Sequence, residues 1–255
     1  MCLIFLSIQK HPAYKLIVAA NRDEFYERNT LPAHVWEDNP HIIGGRDGEA
    51  HGTWMAMSKT GKISMVTNYR DPHNINPKAP SRGQLVSDYL LNGDKPHDYI
   101  HQVAVKAKAY NGFNLLVGSP DELFYYSNYR EGIEKIQPGI YGLSNHLLNT
   151  PWPKVQKGIA KMKSALASEA INSVVLFDLL NDDQTAPDEQ LPDTGVGLDR
   201  ERMLSSMFIK SPNYGTRCST VVMIDQANEV YYAERVYDLN TFEYTSRAFN
   251  FNVSP

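Results

Sequence analysis

Two β-type apolar runs open the chain, "CLIFLSI" at residues 2–8 and "KLIVAA" at 15–20, joined by the short polar stretch "QKHPAY". Runs of this length and composition, so close together, predict an antiparallel hairpin and commit the chain to a sheet from its first residues. A second hairpin is expected from "TWMAMS" and "KISMVTN" around "KTG". The period then changes. "SRGQLVSDYLLNG" reads as a helix that begins with Ser81 and Gln84 at capping-box spacing and stops near Gly93. "DYIHQVAVKAKAYNG" reads as a second, with Ile100, Val103, Ala104 and Ala107 inward. Strand signals return at "FNLLVG", "ELFYYS" and "GIYGLSN". "NTPWPKVQKGIAKMKSAL" predicts a helix capped by Thr150, with Pro151 at its first position and an apolar stripe of Val155, Ile159, Met162 and Leu166. "INSVVLFDLLND" is a further short helix, and the acidic, turn-rich "DDQTAPDEQLPDTGVG" is a surface loop. "RCSTVVMID", "EVYYAER" and "TFEYTS" close the chain as strands. Antiparallel hairpins with segregated helices predict an α+β layered fold of two packed sheets flanked by helices.

Length and charge narrow the class. The chain has 255 residues, is 42% hydrophobic and contains no linker that forces a cut, so one domain over 1–255 is expected. A net charge of −4 does not mark a nucleic-acid binder. No apolar run is long enough for a membrane span. The opening run has no basic residue before it and breaks at "QKHP", so no signal peptide is expected. Cys2 and Cys218 make no disulfide framework, and a reducing, cytoplasmic setting is the expectation.

The first hairpin also gathers chemistry. With Ile8 opposite Lys15, paired residue numbers sum to 23, and Cys2 falls opposite Asn21 with Arg22, Asp23 and Glu24 beside it. If the second hairpin continues the first as a meander, "HGT" at 51–53 and "NYR" at 68–70 join the same edge. A cysteine that becomes the first residue after loss of Met1 carries an α-amine of pKa about 7.7–8.0. That amine can activate the adjacent thiol. Arg22 would favour the thiolate and Asp23 could hold the amine. Asn68 or Asn145 could donate to a developing oxyanion. The plainer reading is open at the same residues: Cys2 as a small core residue, and "NRDE" as a solvated strand end with a salt bridge. Cys218 reads as core, and "GGRDG" at 44–48 as a tight turn. No histidine or cysteine spacing signals a metal or covalent haem site.

Together, "MC" at the start, "NRDE" at 21–24, "GGRD" at 44–47, "GTW" at 52–54, "TNYR" at 67–70, "NGFNLL" at 111–116, "GLSN" at 142–145 and "YGTRCST" at 214–220 resemble the NRDE family, also called the transport-and-Golgi-organisation family, over nearly the whole chain. The resemblance implies a four-layer αββα sandwich like that of N-terminal-nucleophile (Ntn) hydrolases. Within that group it is similar to cysteine amidases such as penicillin V acylases and bile salt hydrolases. Carried over, Cys2 is the nucleophile, Asn145 serves the oxyanion and Arg217 is the later arginine. Arg22 and Asp23 fall near the amidase Arg and Asp, at a spacing that is not the amidase spacing. Asn21, Glu24, Trp54, Asn68 and Arg70 complete the expected ligand-binding set. The implied substrate is a small acyl amide or acyl-CoA, with no metal or cofactor required. The resemblance equally implies a non-enzymatic carrier of haem or acyl-CoA, with a transient contact to a membrane or another carrier. For haem, His11, His51, His73 and His146 are the candidate axial ligands.

Overall fold

The computed structural model describes residues 2–168 and 170–253. Thirteen strands fall into two antiparallel sheets. The first holds β1 (Cys2–Ile8), β2 (Tyr14–Phe25), β10 (Gly139–Leu143), β11 (Tyr214–Asp225), β12 (Glu229–Tyr237) and β13 (Tyr244–Asn252), in the order β10-β1-β2-β11-β12-β13. The second runs in chain order: β3 (Thr30–Val35), β4 (Ile42–Asp47), β5 (Met55–Ser58), β6 (Ile63–Asn68), β7 (Phe113–Gly118), β8 (Leu123–Ser127) and β9 (Glu134–Lys135).

Strand periodicity sets the layers. Ile4, Leu6, Val18 and Ala20 pack between the sheets against Met55, Met57, Met65 and Leu116. Leu3, Phe5, Ile17 and Ala19 point the other way, onto α3 (Pro153–Leu166) and α4 (Ser173–Leu180). On the far side, α1 (Gly83–Leu91) and α2 (Pro96–Lys106) cover Leu115, Val117 and Phe124 of the second sheet. The order is therefore helix, sheet, sheet, helix: an αββα sandwich. A short helix, α5 (Leu198–Met203), follows the acidic loop, whose residues are mostly exposed. Among the described residues no helix is long and apolar enough to cross a membrane.

Several local expectations need correction. The two hairpins belong to different sheets and do not form one meander. The β1–β2 register is one residue off the expected one, with Ile8 opposite Leu16 and Cys2 opposite Arg22. A one-residue slip exchanges faces, so Cys2 shares its face with Arg22 and not with Asn21. "GGRD" is part of β4 rather than a turn. Its glycines answer a close approach: a Cβ on Gly45 would lie 2.2 Å from the Trp54 ring, and one on Gly44 2.5 Å from the Ala56 methyl. The Ser81 side chain does not cap α1, whose N-cap is Arg82. Helix α3 starts at Pro153, not Pro151: Pro153 disfavours helical backbone at Trp152, which stays extended as the N-cap, and the Thr150 hydroxyl is engaged with Leu147 O and the His146 ring.

Candidate active site

The ends of β2, β4, β6 and the entry to α1 meet at one rim of the sandwich, around a cavity of about 380 Å³. Cys2 lies on its wall and is buried, opposite Arg22 on the neighbouring strand. Burial pushes the thiol pKa up, and the guanidinium of Arg22 pulls it back down. The thiol is therefore neutral at physiological pH unless a base takes its proton.

Arg22 is held from three sides. Its guanidinium donates to Thr30 Oγ1 at 3.1 Å, pairs with Asp47 at 3.4 Å and stacks 4.4 Å over the Trp54 ring. Asp47 is shared with Arg28, which reaches it from Nε at 2.6 Å and Nη2 at 3.0 Å. Burial opposes the Asp47 charge, but Arg28 and the backbone N–H groups of Ala50 and Glu49 outweigh it, and its pKa is lowered. Glu24 stands 3.9 Å from both Arg22 and Arg28. Burial again works against the charge, yet the carboxyl is held below its usual range, with the N–H of Phe25 and the two arginines among the groups that favour the charge.

The alternation along β2 divides "NRDE". Arg22 faces the space between the sheets. Asn21 faces the helices, donating to Leu180 O at 3.0 Å and Met207 O at 2.8 Å and accepting from Ser219 at 2.5 Å. It is a buried tie between sheet and helix layer and does not line the cavity. Asp23 reaches the cavity wall and accepts from Thr216 Oγ1 at 2.7 Å. Burial raises its pKa, offset by Lys154. Lys154, on α3, is itself fully enclosed and donates to Leu204 O, and burial lowers its pKa to about 8.

The remaining expected residues separate. Trp54 and Asn68 line the cavity. The Asn145 amide instead donates to Asn68 O at 3.1 Å, holding the Asn68 backbone from behind. Arg70 is turned away, paired with Glu201 of α5 at 2.7 Å and stacked 4.8 Å from the Trp152 ring. Arg217 occupies a bulge in β11, between Thr216 opposite Asp23 and Cys218 opposite Arg22. Its guanidinium gathers the carbonyls of Phe25, Tyr26 and Arg28, fixing the turn after β2 rather than facing the cavity. Of the four candidate haem ligands, none lines the cavity: the His146 ring is engaged by Tyr69 and Thr150, and His11 by Ala13 N. Among the described residues no group of acidic, histidine and cysteine side chains is placed to hold a metal ion.

Sequence reasoning missed Arg28, Asp47 and Arg82. Asp47 was hidden by reading its strand as a turn. Arg82, at the entry to α1, carried no motif; only the fold brings it opposite Cys2.

The helix, sheet, sheet, helix layer order is an Ntn-hydrolase-like fold. A cysteine-to-alanine mutant of the conjugated bile acid hydrolase from Clostridium perfringens superposes with a TM-score of 0.51, covering 100% of this chain and 98% of its own, at 8% identity. The chain belongs to the Transport and Golgi organisation 2 family, whose model matches residues 1–239. The Transport and Golgi organization 2 homolog of Mus musculus is 35% identical, over 96% of this chain and 99% of the relative. The human homolog is 34% identical over 99% of both, and the Drosophila melanogaster protein 30% identical over 92% of this chain and 91% of its own.

Proposed function

We propose that the cleft transfers an acyl group from a small amide or thioester to Cys2, and from there to water. The observation that carries this reading is the register that sets Cys2 directly beside Arg22 on the wall of a charged cavity. With Met1 removed, the α-amine of Cys2 accepts the thiol proton and the sulfur attacks the acyl carbon. The ammonium then gives that proton to the departing amine or thiol, leaving a thioester on Cys2. Water, deprotonated by the same amine, hydrolyses it to the free acid and restores the thiol. Asn68, whose side-chain amide makes no hydrogen bond among the described residues, is the oxyanion donor, and Asn145 is its support. Amine, thiol and amide suffice for these steps, so the reading requires no cofactor. Met1 itself lies outside the described residues.

The carrier reading would use the same cleft. The ionic walls around Cys2 support a polar acyl compound over a flat apolar macrocycle, and the absence of histidine from the lining gives haem no axial imidazole there. The test begins with intact mass, to establish loss of Met1. The processed protein is then incubated with butanoyl p-nitroanilide and with the butanoyl thioester of N-acetylcysteamine. A butanoyl adduct that disappears in Cys2→Ala is the expected result. A processed protein that forms no adduct with either probe overturns acyl transfer, and a saturable Soret shift with haem then favours carriage.

A further inference from the structure

Three arginines line the cavity, and two of them are already neutralised. Arg22 and Arg28 share Asp47 and Glu24. Arg82 differs. Its Nη1 donates to Gly112 O at 3.0 Å, and it forms no ion pair with any described residue. Arg82 is partly buried, and the carboxylate that acts on it, Glu24, does so from beyond ion-pair distance. A partly buried guanidinium that faces a cavity without a counter-ion favours an anionic partner that completes it. The surroundings are built to keep it in place. Gly83 follows it into α1, whose dipole adds positive potential at this end. The wall beyond, from Pro77 to Pro80, is fixed by a reciprocal pair: Asn111 Oδ1 accepts from Asn76 N at 2.7 Å, and Asn111 Nδ2 donates to Asn76 O at 2.9 Å.

We infer that Arg82 is the specificity residue of this cleft, binding an anionic group, carboxylate or phosphate, on the ligand whose acyl carbon faces Cys2. The inference rests on the acyl-transfer reading for the identity of the ligand's other end. It makes the ligand bifunctional: an acyl bond near Cys2 and Arg22, and a negative charge one cavity-width away. Arg82 presents a planar fork that can pair with two oxygens at once, which a lysine there could not.

Binding can be measured apart from turnover by using the Cys2→Ala chain in calorimetry. The probes are N-butanoylglycine, N-butanoyl-O-phosphoethanolamine and neutral N-butanoylglycinamide. At least one anionic probe is expected to bind tenfold or more tighter than the neutral one. Arg82→Gln should abolish that preference and leave the neutral amide unchanged, and Arg82→Lys should retain part of it. The arm that binds tighter identifies the anion as carboxylate or phosphate. Equal binding of all three, no binding of any, or a loss in Arg82→Gln that is the same for charged and neutral probes, overturns the inference. If the charge preference holds while the processed wild type forms no adduct, Arg82's role stands and acyl transfer falls.

Discussion

At the scale of single residues, two asparagines that look alike in the sequence are given opposite duties. Asn68 lines the cavity, whereas Asn145 has spent its amide on the Asn68 carbonyl. Asn68→Ala is expected to lower butanoyl transfer by about 10²–10³-fold, the usual loss for one oxyanion donor, with little change in stability. Asn145→Ala should instead destabilise the fold by about 1–3 kcal/mol, because it strands the part-buried Asn68 carbonyl. Single-turnover kinetics and urea denaturation on both variants separate the two, and the reverse pattern would exchange the assignments. Sequence alone could not rank these residues, since the ranking depends on which amide already has a partner.

Elements were more legible than sites. The helix and strand runs from β5 to α4 follow the expected hydrophobic periods closely, because each buries one face against a sheet or helix layer. β3 and β4 were not legible. Glycine usually signals a turn, and here it serves close packing within a strand against Trp54. Helix α3 uses glycine in the same way. A Cβ on Gly158 would meet the Phe5 ring at 1.8 Å, so Gly158→Ala should cost about 1–3 kcal/mol, although alanine is the better helix former by about 1 kcal/mol. Gly93, where an added Cβ meets nothing within 4 Å, is the control, and Gly93→Ala should be near neutral by chemical denaturation. Similar losses at both positions would mean that the Phe5 contact is not what sets the cost.

Across the whole molecule, one of the ties between the two sheets is the buried carboxylate of Glu234. Glu234 of β12 accepts from Ala33 N of β3 at 2.6 Å and from Thr220 at 3.3 Å. Burial raises its pKa, only partly offset by these hydrogen bonds. A carboxyl whose folded pKa is raised binds its proton more tightly in the native state. Its contribution is therefore fully present at low pH and is lost as pH rises from the ordinary glutamate range near 4.5 through the higher folded value. Stability of the wild type minus that of Glu234→Gln should fall across that window and be flat below it, and a flat difference throughout would remove Glu234 as the titrating group. The fold class was legible because layered burial writes its period into the sequence. The tie was not, since a glutamate in a strand reads as solvent-facing until its neighbours are known.

The alignment of Cys2, Arg22 and Cys218 on three successive strands has a consequence for damage. The two thiols flank one guanidinium and stand two strand spacings apart, roughly 10 Å between Cα atoms, beyond the 7 Å or so that a disulfide can bridge. If Cys2 is oxidised to a sulfenic acid, the chain therefore has no second thiol in reach to resolve it. Recovery of the cleft then depends on a thiol delivered from outside, through the same opening that admits its ligand.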